Sequence, residues 1–512
     1  MPSFKKSAFI FMVITLISKI LGFARELILA SNFGASNITD AYLTALNIPV
    51  VIFAGVSASL ATTYIPMFYS VKEKEGKSGV YKFTDNVYSI VVLCSLLLIA
   101  IGLTFTPYIV KLFAVGFKGD ILDLTINFSR ILMPAMLFLA INSIQSAYLQ
   151  ANDKFYISAA STIPFNIICI LAIIIGANSN AYTMVYITLF AYIAQMIFQF
   201  IFVKNDGYKY KLHINLADKN IHKLLYLVIP VFIGSYVDQI NTMINRSLAS
   251  TIEVGAITAL NYASKLNVFA TGIIVMSLST VLYPILSRLS SEKNMELFKK
   301  YVTKSVNLVI VFMIPITFMT MVLVNPIVKI LFEKGSFNSH DTYLTSTALF
   351  YYSLGMVAYG VRDVLSRTFY SLQDTKTPVK NAAISVLFNI VFSLILVKYM
   401  GIGGLALSTS IAGIIAALLL GISLRKKIGK LGMKNTIKNF VKVNMASFIM
   451  SVFINLIFNT GSLLRLNTIL ALIISVIIGI LVYILMAFVL DISEIKDIVK
   501  SIKEKVVSKL NK

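Results

Sequence analysis

Tryptophan is absent from this 512-residue chain, and several other residue types are scarce: two Cys, three His, and 22 Asp and Glu against 45 Lys and Arg. Two cysteines, Cys94 and Cys169, exclude a disulfide scaffold and a Cys-rich zinc site. Both sit in apolar runs and read as small core hydrophobes. His213, His222 and His340 are scattered over polar stretches, which leaves little for histidine chemistry. Charged residues make up 13% and hydrophobic ones 58% of the chain. A soluble domain carries about a quarter charged residues, so a soluble globular protein is excluded, and so much apolar surface excludes disorder. The chain also lacks a Walker loop, an HExxH and a Gly-x-Ser-x-Gly, and no soluble domain is present to house them. No catalytic set and no resident cofactor is expected.

What is present is a series of long apolar runs. A helix needs roughly 20 apolar residues to cross a bilayer. Fourteen stretches qualify: 8–30, 40–70, 84–110, 122–149, 157–176, 182–203, 222–248, 256–287, 305–331, 341–370, 379–398, 402–424, 440–458 and 468–490. The first begins like a signal peptide, but its length, Lys19 and Arg25 make it a retained helix. Pro49 and Pro66 are expected to bend the second.

The net charge of +23 invites a nucleic-acid reading, but the positions of the charges decide otherwise. Of the 45 cations, 32 fall on one side of the ladder of spans: the N-terminus, 72–82, Lys154, 204–223, 288–304, 376–380, 425–442 and the tail. Six fall on the other: Lys111, Lys118, Lys329, Lys334, Lys398 and Arg465. The positive-inside rule puts both termini in the cytoplasm, and the excess also attracts anionic headgroups of membrane lipids. No nucleic-acid partner is expected.

An internal repeat organises the spans. Ser59-Leu60-x-Thr62-x-x-x-Pro66 returns as Ser277-Leu278-x-Thr280-x-x-x-Pro284, at an offset of 218. Gln150, Ala159-Ala160 and Phe165-Asn166-Ile167 return as Gln373, Ala382-Ala383 and Phe388-Asn389-Ile390, at 223. Six spans separate the copies. The expected fold is therefore an all-α polytopic membrane protein of 14 transmembrane helices. It has two six-helix lobes related by a pseudo-two-fold axis along the membrane normal, plus two C-terminal helices. The expected domains are an N-lobe (1–203), a cytoplasmic linker (204–221), a C-lobe (222–424), the two added spans (425–490) and a Lys-rich amphipathic tail (491–512).

Seven cations lie inside the spans: Lys19, Arg25, Arg130, Arg246, Lys265, Arg362 and Arg367. The acids beside them are chiefly Glu26, Asp40, Asp238 and Asp363. A charge at a helix centre costs roughly 2.5–3.5 kcal/mol on insertion scales, so these residues must face water, partners or substrate. Thr15, Ser18, Gly22 and Arg25 share one helical face, with Lys19 and Glu26 on the next. Asp40, Thr44 and Asn47 form a stripe; so do Gln239, Thr242 and Arg246; Asn261 and Lys265 are one turn apart. Structural pairing, such as Arg25 with Asp40 or Arg246 with Asp238, stays open for each residue, as does the Asp363–Arg367 pair. The surplus of positive charge suits an anionic ligand such as a diphosphate. Asp238, Asn389, Ser393 and Thr409 are a candidate oxygen-ligand set for Na⁺, with ordinary helix–helix hydrogen bonding as the alternative.

At these residues the chain resembles a known family. Thr15-Leu16-Ile17-Ser18-Lys19-Ile20-Leu21-Gly22-Phe23-Ala24-Arg25-Glu26, followed by Phe33-Gly34-Ala35 and Asp40-Ala41-Tyr42, is similar to the opening signature of the MurJ/MviN lipid II flippases of the MOP exporter superfamily. Leu260-Asn261-Tyr262-Ala263-Ser264-Lys265-Leu266, Phe332-Glu333-Lys334-Gly335-Ser336-Phe337 and Phe369 to Pro378 resemble three further motifs, so the likeness runs from about residue 8 to 425. It implies two six-helix lobes plus two helices that form a lipid-tail groove. It implies a V-shaped cationic cavity for the diphosphate and sugar of lipid II, and movement of that precursor to the outer leaflet for peptidoglycan synthesis in a bacterial plasma membrane. Cell-wall synthesis proteins are implied as partners, and Na⁺ or the membrane potential as the coupling. The expected cavity residues are Ser18, Lys19, Arg25, Glu26, Asp40, Asn47, Arg246, Asn261, Lys265 and Arg362. Family arginines fall on Lys19, Arg25 and Lys265, two of which are Lys here and lose the bidentate fork. The family's Arg-Arg pair after the span-2 proline is absent, since Pro49 is followed by Val50-Val51-Ile52-Phe53. Another polyprenyl-diphosphate oligosaccharide as cargo and a MOP-type drug or cation antiporter are the alternative functions. A membrane-embedded glycosyltransferase or a wall-synthesis scaffold is the alternative of a different class.

Overall fold

The computed structural model describes residues 2–432, 434–463, 467–497 and 499–500. Among the described residues the regular structure is helical throughout, with no strand. That is what hydrocarbon demands, because a helix satisfies its backbone groups within one segment. The outward surface is apolar: Leu97, Leu418 and Leu485 are each about three-fifths exposed (58%, 61% and 63%), the reverse of a soluble domain.

The chain divides into two compact units. Unit 1 comprises 1–258 with 334–338, and unit 2 comprises 259–333 with 339–512. Unit 1 extends one span beyond residue 203, because the helix after the linker packs on the second helix of that unit. Unit 1 holds α1 (Pro2–Phe33), α2 (Asn37–Thr104), α3 (Thr106–Phe113), α4 (Asp120–Leu132), α5 (Ala135–Ala151), α6 (Phe155–Ala160), α7 (Thr162–Asn178), α8 (Ala181–Asn205) and α9 (Lys219–Ala249). It also takes the first turn of α10 (Ala256–Ser291). Unit 2 holds the rest of α10, α11 (Met295–Val322), α12 (Val324–Phe332), α13 (Ser339–Ser353), α14 (Met356–Ser371), α15 (Lys376–Ile428), α16 (Lys434–Leu463) and α17 (Thr468–Val489).

Among the described residues eight helices are long and apolar enough to cross a membrane, or nine if α4 and α5, bent by 43°, form one span. α2 has 68 residues, about 100 Å at 1.5 Å per residue, far more than one crossing of about 30 Å. It breaks at Gly76, whose φ of 66° favours a residue without a Cβ. Exposed Lys72, Lys74, Lys77 and Lys82 surround this break. α15 breaks likewise at Gly401. Pro49 and Pro66, by contrast, lie within continuous helical backbone.

In unit 1, α2 packs on α4, α5 and α9, α7 on α8, and α1 on α6 and α7. The two arms of α2 are tied by Tyr64, whose hydroxyl lies 2.7 Å from Thr84 Oγ1 and whose ring stacks on Phe83. In unit 2, α11 packs on α14 and α16, α16 on α17, and α13 and α14 on α15. Tyr483 of α17 donates to the Val311 carbonyl at 2.7 Å. The tail begins as an anchor: Ile492 is fully buried, and Glu494 accepts from Asn307 (2.6 Å) and Asn439 (2.9 Å). Residues 501–512 of the expected tail lie outside the described residues.

The repeat is written into the backbone. Phe105, between α2 and α3, has φ/ψ of −100°/14°; Leu323, between α11 and α12 and 218 residues on, has −99°/13°. The turn after α5 places Asp153 at φ 60° with Lys154 N–H on Leu149 O; the turn after α14 places Gln373 at φ 59° with Asp374 N–H on Phe369 O. These helix C-terminal turns correspond at an offset of 220, which pairs Gln373 with Asp153 and not with Gln150, so the match at 223 applies only to the residues beyond the turn. Each turn is clamped by an ion pair to the end of a later helix in its own unit, with the signs exchanged. Lys154 Nζ meets Asp206 at 2.6 Å, and Asp374 meets Lys427 Nζ at 2.5 Å.

Two predictions follow from this architecture. Gly335 has φ 61°, and a Cβ there would lie 2.1 Å from the Ser31 carbonyl oxygen, which accepts from Ser336 N–H. Gly335→Ala should destabilise the protein by at least the roughly 1–2 kcal/mol of a left-handed L-residue. Gly421→Ala, with open space around it, should be neutral or stabilising; detergent-solubilised thermal unfolding of both variants checks this. For the second clamp, the hydrogen bond from Lys427 holds the Asp374 carboxyl down at about 2, against 3.8 ordinarily. Its folded-state value is depressed, so its stabilisation is full above about pH 4 and is lost as pH falls towards 2. A double-mutant cycle on Asp374→Asn and Lys427→Gln should give a coupling of roughly 0.2–1 kcal/mol at pH 7 that weakens as pH falls towards 2.

Candidate functional site

The polar stripe of α1 meets α6 and α7. Ser18 Oγ donates to the Ala159 carbonyl at 3.3 Å, and Gly22 faces the Asn166 side chain. Arg25 is held on three sides. Nη2 donates to Glu26 Oε1 at 2.7 Å, Nη1 donates to Asn166 Oδ1 at 3.3 Å, and the guanidinium lies 5.8 Å from the Phe165 ring centroid. The Arg25 side chain keeps 17% exposure while Glu26 is buried. Lys19, on the adjacent face, is exposed.

The pairing of Arg25 with Asp40 does not occur. Asp40 is buried, and its carboxylate accepts from Gly255 N–H (2.7 Å), Thr258 N–H (2.9 Å) and Thr258 Oγ1 (2.5 Å). It caps the first turn of α10, where free amides and the helix dipole favour an anion. Asp40 therefore anchors the backbone at the start of α10. Arg246 Nη1 donates to the Leu43 carbonyl at 3.2 Å and lies within electrostatic reach of Asp40. On the packed helices α2 and α9, Thr44 Oγ1, Asn47 Oδ1 and Asn241 Oδ1 are buried without a hydrogen-bond partner among the described residues. Buried polar atoms normally have one, so these three are poised for donors from water or a hydroxylated ligand.

In unit 2, α10 presents half-buried Asn261 and exposed Lys265 one turn apart. Tyr262 between them stacks on Phe332 with centroids 4.8 Å apart, which fixes α10 against α12. The Arg362 guanidinium lies 5.2 Å over the Tyr359 ring, and Tyr359 Oη donates to the Thr409 carbonyl at 2.9 Å. Asp363 and Arg367 form the i,i+4 pair at 2.8 Å.

Asn389, Ser393 and Thr409 come together in unit 2. Asn389 Nδ2 donates to Thr409 Oγ1 (3.3 Å), Ser393 Oγ donates to Asn389 Oδ1 (3.2 Å), and Ser393 and Ser408 share a 2.7 Å bond. The donors are neutral oxygens suited to an alkali cation. The Asp238 side chain of the expected set lies outside the described residues. Among the described residues no cluster of three His, Cys, Asp or Glu could hold a metal. Sequence reasoning missed Asn166, Phe165, Tyr359 and Ser408 as site residues; the signal available for the first two was the Phe-Asn-Ile repeat.

The comparisons with known proteins bear on this arrangement as a whole. The family described as lipid II flippase MurJ matches residues 29–472. A "Probable lipid II flippase MurJ" of Rickettsia prowazekii (strain Madrid E) is 30% identical over 462 residues, covering 88% of this chain and 90% of that protein. The "Lipid II flippase MurJ" of Burkholderia cenocepacia is 26% identical over 425 residues, covering 81% and 82%. A solved lipid II flippase MurJ in an inward closed conformation superposes with a TM-score of 0.80 at 29% identity, covering 94% of this chain and 98% of that one. An inward-facing multidrug resistance MATE transporter of the MOP superfamily shares the fold, with a TM-score of 0.68 at 14% identity. With the α10 cation and the paired turns inside the matched span, the chain belongs to the lipid II flippase MurJ family.

Proposed function

We propose that this protein carries lipid II from the cytoplasmic to the outer leaflet of a bacterial plasma membrane by alternating access, with fourteen passes and both termini in the cytoplasm. The reading rests on family membership and on one physical observation: cations outnumber acids in the spans, and three of those acids have protein duties. Asp40 caps backbone, Asp363 holds Arg367, and Glu26 orients Arg25. A diphosphate in hydrocarbon faces an idealised penalty on the order of 20 kcal/mol per ion, which fixed cations along a wet path offset.

In this reading Lys19, Arg25, Arg246, Lys265 and Arg362 attract the diphosphate. Ser18, Asn47 and Asn261 meet the sugar, Glu26 orders the site, and Asp40 acts from behind by fixing the start of α10. Arg25 supplies a planar fork; the lysines supply point charge without fixed geometry. A cationic site also feels the membrane potential, at roughly 2.3 kcal/mol per charge per 100 mV. Asn389, Ser393 and Thr409 would hold a Na⁺, which would supply coupling to the sodium gradient. Membrane lipids and cell-wall synthesis proteins are the proposed further partners.

Neutralising Arg25 and Lys265 together (R25A/K265A) should cut outer-leaflet lipid II at least tenfold in cells depleted of other flippases, with total precursor rising. A probe that attacks only outward-facing headgroups reads this, and an unchanged distribution with normal membrane insertion overturns the reading. For the cation, lipid II transport into proteoliposomes should slow when Na⁺ is replaced by K⁺, and Asn389→Ala should remove the difference. Equal rates in both salts would leave Asn389 and Ser393 as helix–helix hydrogen bonds.

A further inference from the structure

The linker after α8 is not a slack tether. Residues 208–215 run as a non-helical strap along the second arm of α2, and three side chains within about one turn of that arm bind its backbone and tyrosines. Asp85 accepts from Tyr208 Oη (2.6 Å) and from Lys211 N–H (3.0 Å). Asn86 exchanges two bonds with the Asn215 backbone, N–H to Oδ1 at 2.9 Å and Nδ2 to the carbonyl at 2.8 Å. Ser89 Oγ accepts from His213 N–H (3.2 Å) and shares a 2.9 Å bond with Tyr210 Oη. Asp85, Asn86 and Ser89 are all buried beneath the strap.

The side chains that face away have the wrong chemistry for water. Leu212, Ile214 and Leu216 are 77%, 51% and 62% exposed. On either side of them in the chain stand exposed Lys204, Lys209, Lys211, Lys219 and Lys223. The nearby acids are occupied: Asp85 by the strap, Asp206 by Lys154, Asp218 by Asn220 N–H, and Glu75 by the Asn220 amide. The position along α2 is that of a membrane boundary. Exposed Lys82 precedes Asp85, and exposed Leu93, Leu96 and Leu97 begin four residues after Ser89, about 6 Å further on. Tyrosines mark the same level, with Tyr88 on Tyr210 and Tyr81 on Tyr208, as at membrane–water interfaces.

We infer that the 208–217 strap is an interfacial anchor. Leu212, Ile214 and Leu216 enter the acyl boundary of the adjoining leaflet, and Lys209, Lys211 and their neighbours bind anionic lipid headgroups. The strap then ties the second arm of α2 to the membrane surface and fixes the depth of the joint before α9.

The absence of native tryptophan makes the test direct. The full-length Leu212→Trp variant, with Leu216→Trp as a second reporter if the first misfolds, is reconstituted into phosphatidylcholine vesicles with and without phosphatidylglycerol. The expected result is blue-shifted emission, at least twofold quenching by lipids brominated on the acyl chain, and weak quenching by aqueous iodide. With phosphatidylglycerol present, adding Lys209→Gln and Lys211→Gln should reduce the lipid quenching, and high salt should do the same. Emission open to iodide and unaffected by brominated lipid overturns the inference. Shielding from both quenchers means protein covers the strap, a second copy included, and also overturns it. Lipid quenching that ignores the lysine substitutions overturns the headgroup assignment.

Discussion

Removing a charge or an unpaired amide from water costs several kcal/mol, and hydrocarbon offers nothing in return. That one constraint accounts for most of what the chain does. It forces the described residues into helices, turns leucines outward, and places backbone breaks where polar residues can serve them. Gly76 interrupts α2 among four lysines. The buried carboxylate of Asp40 is tolerated because three donors converge on it at a helix start, where amides would otherwise be orphaned.

The same constraint sharpens the reading of the cations. Glu26, Asp40 and Asp363 each serve a protein group, so they are not spread as a general counter-charge. Arg25 shows what that achieves. Glu26, Asn166 and the Phe165 ring fix its plane while part of the side chain stays exposed. A cation held this way meets an anion with little further ordering, which is the use of pre-organisation in binding. The chain keeps the fork at Arg25 and makes do with lysine at positions 19 and 265.

The repeat separates what is inherited in the backbone from what is free to change. The breaks at Phe105 and Leu323 agree to a degree or so in φ and ψ, and the turns at Asp153 and Gln373 are closed by the same pattern of amides. Yet the clamps on those turns have opposite sign, Lys154–Asp206 against Asp374–Lys427. Asn166 and Asn389, equivalent in the repeat, likewise diverge: one steadies Arg25, the other joins a network with Thr409 and Ser393. Backbone turns are set by local sterics and hydrogen bonding, whereas either sign of an ion pair closes the same gap.

Local pattern alone determined the membrane class, the helical content, the repeat and the family resemblance, because apolar run length and motif order are properties of neighbouring residues. The Asp363–Arg367 pair was legible for the same reason, being one helical turn. Partners across space were not legible. The stripe of Ser18 and Arg25 was readable as a face, but not that α7 would meet it. Asp40 read as a cavity acid, and its three donors come from residues 255–258, more than 200 positions away. The linker read as a basic loop, and its role as a strap depends on Asp85, Asn86 and Ser89 lying buried on one face. Helical periodicity gives the direction in which a side chain points; only the packing of helices decides what stands there to receive it.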